Sequence, residues 1–128
     1  MLTDWILSLM VTLQPEAPWK DTYSATAAAI AEVVSTQPSL FADDYEGRAK
    51  TASVLVALAW AESTFKPTAV GAHGVRGLYQ VGGKGDMADP VRATRVALDL
   101  VHESFRLCRA RRVEERLAVY AAGGSSCK

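Results

Sequence analysis

The most constraining stretch of the chain runs from Ala52 to Ala61, A-S-V-L-V-A-L-A-W-A, and is apolar at every position except Ser53. A helix over these residues has no polar face, so it is expected to be buried all round at the centre of a domain. Glu62 follows at once. At the end of a buried helix its carboxylate would be desolvated and would sit beside the negative end of the helix dipole, and both effects favour the protonated acid. That is the state a general acid requires. On position alone, the plainer reading is that Glu62 is the first polar residue past a core helix, exposed and without a role.

Beyond the helix the chain reads Glu62-Ser63-x-Phe65-x-Pro67-x-Ala69, then Gly74-x-x-Gly77-Leu78-Tyr79-Gln80-Val81. This resembles the soluble lytic transglycosylase catalytic domain, a member of the lysozyme-like superfamily, whose pattern is Glu-Ser-x-Phe-x-Pro-x-Ala, a glycine-containing loop, and Gly-Leu-Met-Gln-aliphatic. A second segment, Leu117-Ala118-Val119-Tyr120-Ala121-Ala122-Gly123, is similar to the family's Leu-Ala-x-Tyr-Asn-Ala-Gly. The resemblance spans roughly Gly47 to Gly123. Three positions depart from it: Tyr79 stands for methionine, Gly82-Gly83 for Met-Pro, and Ala121 for the asparagine expected to contact substrate.

The resemblance implies an all-α lysozyme-like fold and cleavage of the β-1,4 bond between N-acetylmuramic acid and N-acetylglucosamine in peptidoglycan glycan strands. By carry-over, Glu62 is the catalytic acid and then the base on the muramyl 6-hydroxyl, giving a 1,6-anhydro product. Ser63 would support Glu62, Tyr79 and Gln80 would line sugar subsites, and Tyr120 would hydrogen-bond near the carboxylate. Read as ordinary structure, Ser63 is a helix-end cap and the two tyrosines are core aromatics with a wet hydroxyl. The one-carboxylate scheme differs from the two-carboxylate arrangement of most glycosidases and suits a cleft in which no second acid has an obvious place. Two alternatives remain: a lysozyme-type muramidase in which Asp86 or Asp89 positions water, and a non-catalytic module that binds glycan or serves assembly.

The chain has 128 residues, 49% of them hydrophobic and 22% charged, which is enough for one folded domain, residues 1–128, with N-terminal helices over 1–40. Formal net charge is zero, and the densest basic run, Arg109 to Arg112, is followed by Glu114-Glu115, so there is no electrostatic case for nucleic acid. The opening apolar run, Trp5 to Leu13, lacks a preceding Lys or Arg and a small-x-small site directly after it, and it is too short to span a bilayer. It reads as a structural helix. If the chain begins where the sequence does, it reaches the periplasm or cell-wall space without a classical signal, for instance in a phage particle or a secretion machine.

Pro15 and Pro18 break the first helix. A second is expected from Asp21 or Thr22 to about Thr36, with Ala25, Ala28, Ala29, Ile30, Val33 and Val34 facing inward. Asp43, Asp44 and Glu46 are placed to cap the central helix, about Glu46 to Ser63. Lys66 to Asp89 shows no helical or alternating pattern and holds six of the nine glycines, the mark of a functional loop. Asp89-Pro90 starts a helix to about Arg111, with Ala93, Val96, Ala97, Leu100, Val101, Ser104 and Cys108 on the inner face. A last helix over Val113 to Ala122 would end at Gly123-Gly124.

Other chemistries fit poorly. Gly77-x4-Gly82-Gly83-Lys84 has its lysine one place late for a phosphate loop and no Ser or Thr after it. His102-Glu103 has no second histidine at metal-ligand spacing, and no metal or cofactor is expected. Ser63 lies in no nucleophile elbow. The only cysteines, Cys108 and Cys127, are 19 residues apart. In an oxidising compartment they are expected to pair, worth about 3 kcal/mol on the chain-entropy model. Otherwise they remain two thiols, one buried and one in the tail.

Overall fold

A computed structural model describes residues 1–123, Ser126 and Cys127. It is all-helical: α1 (Leu2–Leu13), α2 (Tyr23–Thr36), α3 (Tyr45–Ser63), α4 (Pro90–Leu107) and α5 (Ala118–Ala122), with short 3₁₀ turns at Lys20–Thr22, Ala72–Gly74 and Val113–Glu115. Among the described residues, β-pairing is limited to two isolated antiparallel bridges, Val70 with Arg76 and Arg76 with Val81. None of the described helices is long and apolar enough to cross a membrane.

The packing hub is α2, which touches α1, α3 and α4. Tyr23, Thr26, Ala27, Ala29, Ile30, Ala31, Val33 and Val34 are buried, and a stripe through Ser24, Ala25, Ala28, Glu32, Ser35 and Thr36 faces water. Ala25 and Ala28, expected inside, are therefore outside. An alanine costs little on either side of a helix, so periodicity built on alanines does not fix the face. Ile6 and Met10 of α1 join Ile30, Leu55 and Leu98 in one apolar cluster. The proline-bearing connection is pinned by the Tyr23 hydroxyl, which donates to the Gln14 carbonyl at 2.8 Å.

The Asp44 carboxylate caps α3 by accepting from the Gly47 N–H at 2.7 Å. This helix is not buried all round. Thr51, Ala52, Leu55, Val56 and Ala59 form one buried stripe, while Ala57, Trp60 and Ala61 are exposed. The helices packed against it are α1 and α2 and, less closely, α4, and its exposed residues lie away from them.

Asp89 and Pro90 start α4 as expected, with the Asp89 carboxylate accepting from the Val91 N–H at 3.0 Å. Its buried face is Ala93, Thr94, Ala97, Leu98, Val101, Ser104 and Phe105, so Thr94, Leu98 and Phe105 turn in while Leu100 turns out, 46% exposed. The helix stops at Leu107, short of Arg111. The Arg116 guanidinium donates to the carbonyls of Arg109 and Arg111, which supplies the turn beyond α4 with partners other than a continuing helix. Cys108, buried at the end of α4, is disulfide-bonded to Cys127 with their Cα atoms 5.3 Å apart. The expected last helix divides into a 3₁₀ turn and α5, and of the Gly123-Gly124 stop signal the second glycine lies outside the described residues.

Candidate active site

Glu62 sits in the last turn of α3, and the chain leaves that helix through two consecutive left-handed residues, Thr64 (φ 50°) and Phe65 (φ 67°). Neither is glycine, so the turn carries backbone strain that its surroundings must hold. Phe65 is fully buried, edge-on to Tyr23 with ring centroids 5.6 Å apart. The Trp19 indole donates to the Thr64 carbonyl at 2.9 Å. Two residues from the N-terminal helices and their connection therefore fix the turn that aims Glu62.

From Lys66 to Asp89 the chain is irregular but anchored by buried Leu78, Tyr79, Val81 and Met87. Gly77 is required on two counts: its φ is +83°, and a Cβ there would stand 2.4 Å from the Met87 carbonyl. The Ser63 hydroxyl lies 2.7 Å from the Leu78 carbonyl and 3.0 Å from the Ala59 carbonyl, so it ties the end of α3 to this loop. The Gln80 side-chain amide donates to the carbonyls of Gly77 (2.9 Å) and Ala69 (3.2 Å), and its oxygen lies where a side chain at Gly71 would have to go. Gln80 thus braces the loop at a left-handed backbone position of its own (φ 49°).

A cleft of about 400 Å3 is lined by Glu62, Gln80, Leu100, Glu103 and Tyr120, among others. It joins the end of α3, the loop, the outer face of α4 and α5. Tyr120 is brought in by Ser104, whose hydroxyl donates to the Arg116 carbonyl at 2.6 Å and accepts from the Tyr120 N–H at 3.1 Å. The Tyr120 hydroxyl reaches the Tyr79 carbonyl at 3.5 Å. Burial, and after it the charge of Glu62, pushes the Tyr120 phenol up from its ordinary pKa. It therefore stays protonated, in the cleft that Glu62 also lines.

Of the five residues singled out from sequence, Glu62, Gln80 and Tyr120 line this cleft with Tyr79, while Ser63 stands behind it. The Tyr79 ring is buried and its hydroxyl pairs with Thr94 at 2.9 Å, so what this residue offers Tyr120 is its backbone carbonyl. Burial pushes its phenol up as well, with the Thr94 hydrogen bond opposing. Glu62 is exposed rather than enclosed, and its carboxylate makes neither ion pair nor hydrogen bond among the described residues.

Asp86 and Asp89 lie elsewhere. Asp86 accepts from the Ala88 N–H in a depression with Pro67 and Met87, and Asp89 caps α4 beside Arg92 and Arg95. The second carboxylate of the cleft is Glu103, which sequence reasoning passed over. Its guanidinium partner Arg106 holds the Glu103 carboxyl below the usual carboxylate range, mainly by hydrogen bonding. In sequence that spacing on α4 reads as an ordinary solvated pair. A signal was nevertheless present in Leu100, an apolar residue one turn before it.

The family model described as Transglycosylase SLT domain matches residues 39–128, well over half of the chain. At family level this implies lytic transglycosylase-type activity on peptidoglycan. Neither a curated protein nor a solved structure matches the chain.

Proposed function

We propose that this chain, which belongs to the transglycosylase SLT family, cleaves the β-1,4 bond between N-acetylmuramic acid and N-acetylglucosamine with Glu62 as its catalytic acid and base. The observation that carries the reading is the meeting, in one cleft, of Glu62 from the end of α3 with Tyr120 from α5, two residues drawn from separate motifs. Glu62 donates its proton to the departing glycosidic oxygen as the C1–O4 bond breaks. The muramyl 6-hydroxyl then forms the new C1–O6 bond and returns its proton to Glu62, so no water is consumed and the enzyme is regenerated. Tyr120, held protonated, steadies the carboxylate and the charge passing through it. Ser63 serves by tying the loop to α3, and Gln80 by bracing the loop itself.

In this reading residues 1–128 form one catalytic domain, because α1, α2 and the connection between them, which precede the matched segment, supply part of the core and the Trp19 contact behind Glu62. The chain works in the periplasm or cell-wall space, where its substrate lies.

A hydrolase is the nearest rival, and Glu103 is the observation in its favour. Asp86 and Asp89 sit in other depressions, whereas Glu103 shares the cleft with Glu62. Arg106 occupies both Glu103 oxygens and lowers its basicity, which makes it a poor base for water. Digestion of purified sacculi decides between them. Muropeptides are expected to end in 1,6-anhydro-N-acetylmuramic acid, one water lighter than the hydrolytic product and resistant to borohydride. Reducible muramyl ends as the main product would leave a muramidase, and binding without turnover would leave a non-catalytic module.

A further inference from the structure

Glu103 stands on the outer face of α4, its side chain half exposed, one turn beyond Leu100 and lining the same cleft as Glu62. The Arg106 Nε donates to one of its oxygens at 3.0 Å and Nη2 to the other, which fixes the rotamer and leaves each oxygen a lone pair for another donor. Arg106 does not line the cleft, and no other lysine or arginine does among the described residues. Of the pair, it is the negative partner that borders the cleft. A strand lying there meets two carboxylates and, among the described residues, no cation.

Peptidoglycan presents two chemistries at the muramyl lactyl group. Where a stem peptide is attached, the carboxyl is an amide, neutral and a hydrogen-bond donor. Where the peptide has been removed, it is a carboxylate. The charged ends of a stem peptide lie further along a flexible chain and are screened beyond roughly 8 Å at physiological salt.

We propose that Glu103 is a specificity-determining residue of this cleft, accepting hydrogen bonds from neutral donors of the strand and disfavouring muramyl residues with a free lactyl carboxylate, so that peptide-bearing strands are the preferred ligand. The inference rests on the peptidoglycan reading above. The expected preference is about twofold, because the adjoining Arg106 charge cancels much of the roughly fivefold effect that one unit charge has on another across a few ångströms of water.

The test is equilibrium binding to protein carrying Glu62→Gln, which removes turnover and the other carboxylate charge. The probes are two soluble glycan strands of equal length, one with stem peptides and one stripped by an amidase. At low ionic strength the peptide-bearing strand is expected to bind about twofold tighter, with the ratio falling toward one near 0.5 M salt. Adding Glu103→Gln should bring the ratio close to one by improving the stripped strand, and adding Arg106→Gln instead should widen it. A ratio that Glu103→Gln leaves in place overturns the inference, as does an equal loss of both ligands. If wild-type protein digests sacculi while the ratio fails to move, only this inference falls. If it neither digests sacculi nor binds either strand, the peptidoglycan reading falls with it.

Discussion

Helices α2 and α3 each contain five alanines and few charges, and the structure uses them in opposite ways. α2 precedes the matched family segment, carries no residue of either motif, and is buried over most of its surface against three other helices. α3 carries Glu62 and opens the first motif, yet one of its faces is open to water. On the reading proposed above, the helix that carries Glu62 is not the helix holding the fold together, and an acid that is to meet a polymer from solution needs its helix end at a surface. The rigidity its aim requires is supplied from behind, by Tyr23 against Phe65 and Trp19 against Thr64.

The strongest attempt to break this comparison is Ala27→Lys. Ala27 is fully buried in α2, and a lysine there places an ammonium among apolar neighbours with no buried carboxylate among the described residues to receive it. The expected cost is several kcal/mol, comparable with the whole stability of a small domain. Cooperative thermal unfolding followed by far-UV circular dichroism should vanish. A sharp transition within a few degrees of wild type would show that α2 is not the hub.

Next in size is Glu62→Gln, which keeps shape and removes the transferable proton. Muropeptide release should fall at least about a hundredfold, the lower end for loss of a general acid. Its melting temperature should stay within about 2–4 °C of wild type, because the side chain is exposed and makes no ion pair among the described residues. Near-normal release would remove Glu62 from the mechanism, and a large fall in stability would erase the division of labour between the two helices.

How far the sequence disclosed this arrangement depends on what each residue type can record. Glu62, Gln80 and Tyr120 were legible because they lie in motifs of several spaced residues, and the Asp44 and Asp89 caps because capping is local chemistry. The all-round burial expected of α3 failed because the absence of polar residues says what a face tolerates, not what covers it. Alanine blurred α2 in the same manner. On α4 the inner stripe was misaligned because Thr94 can enter the core once Tyr79 supplies a partner for its hydroxyl, a contact between distant segments that no local pattern encodes. Glu103 went unread for a similar reason: only the fold shows that its solvated pair borders the cleft.

The smallest expected effect is also the sharpest on α3. Ala57 lies on the exposed face of that helix, near Trp60 and Ala61, so Ala57→Lys puts the same side chain that should destroy α2 onto a surface where its ammonium stays hydrated. Lysine is a slightly poorer helix former than alanine, by a few tenths of a kcal/mol. The net change in unfolding free energy from urea titration should therefore stay within about 0.5 kcal/mol. Activity on sacculi should be retained, since Ala57 is not among the residues lining the cleft. A loss above about 2 kcal/mol would mean that this face is covered in solution, and α3 would then be the enclosed central helix that its sequence first suggested. A small loss of stability with a large loss of activity would instead extend the substrate path onto this face, beyond the cleft between Glu62 and Tyr120.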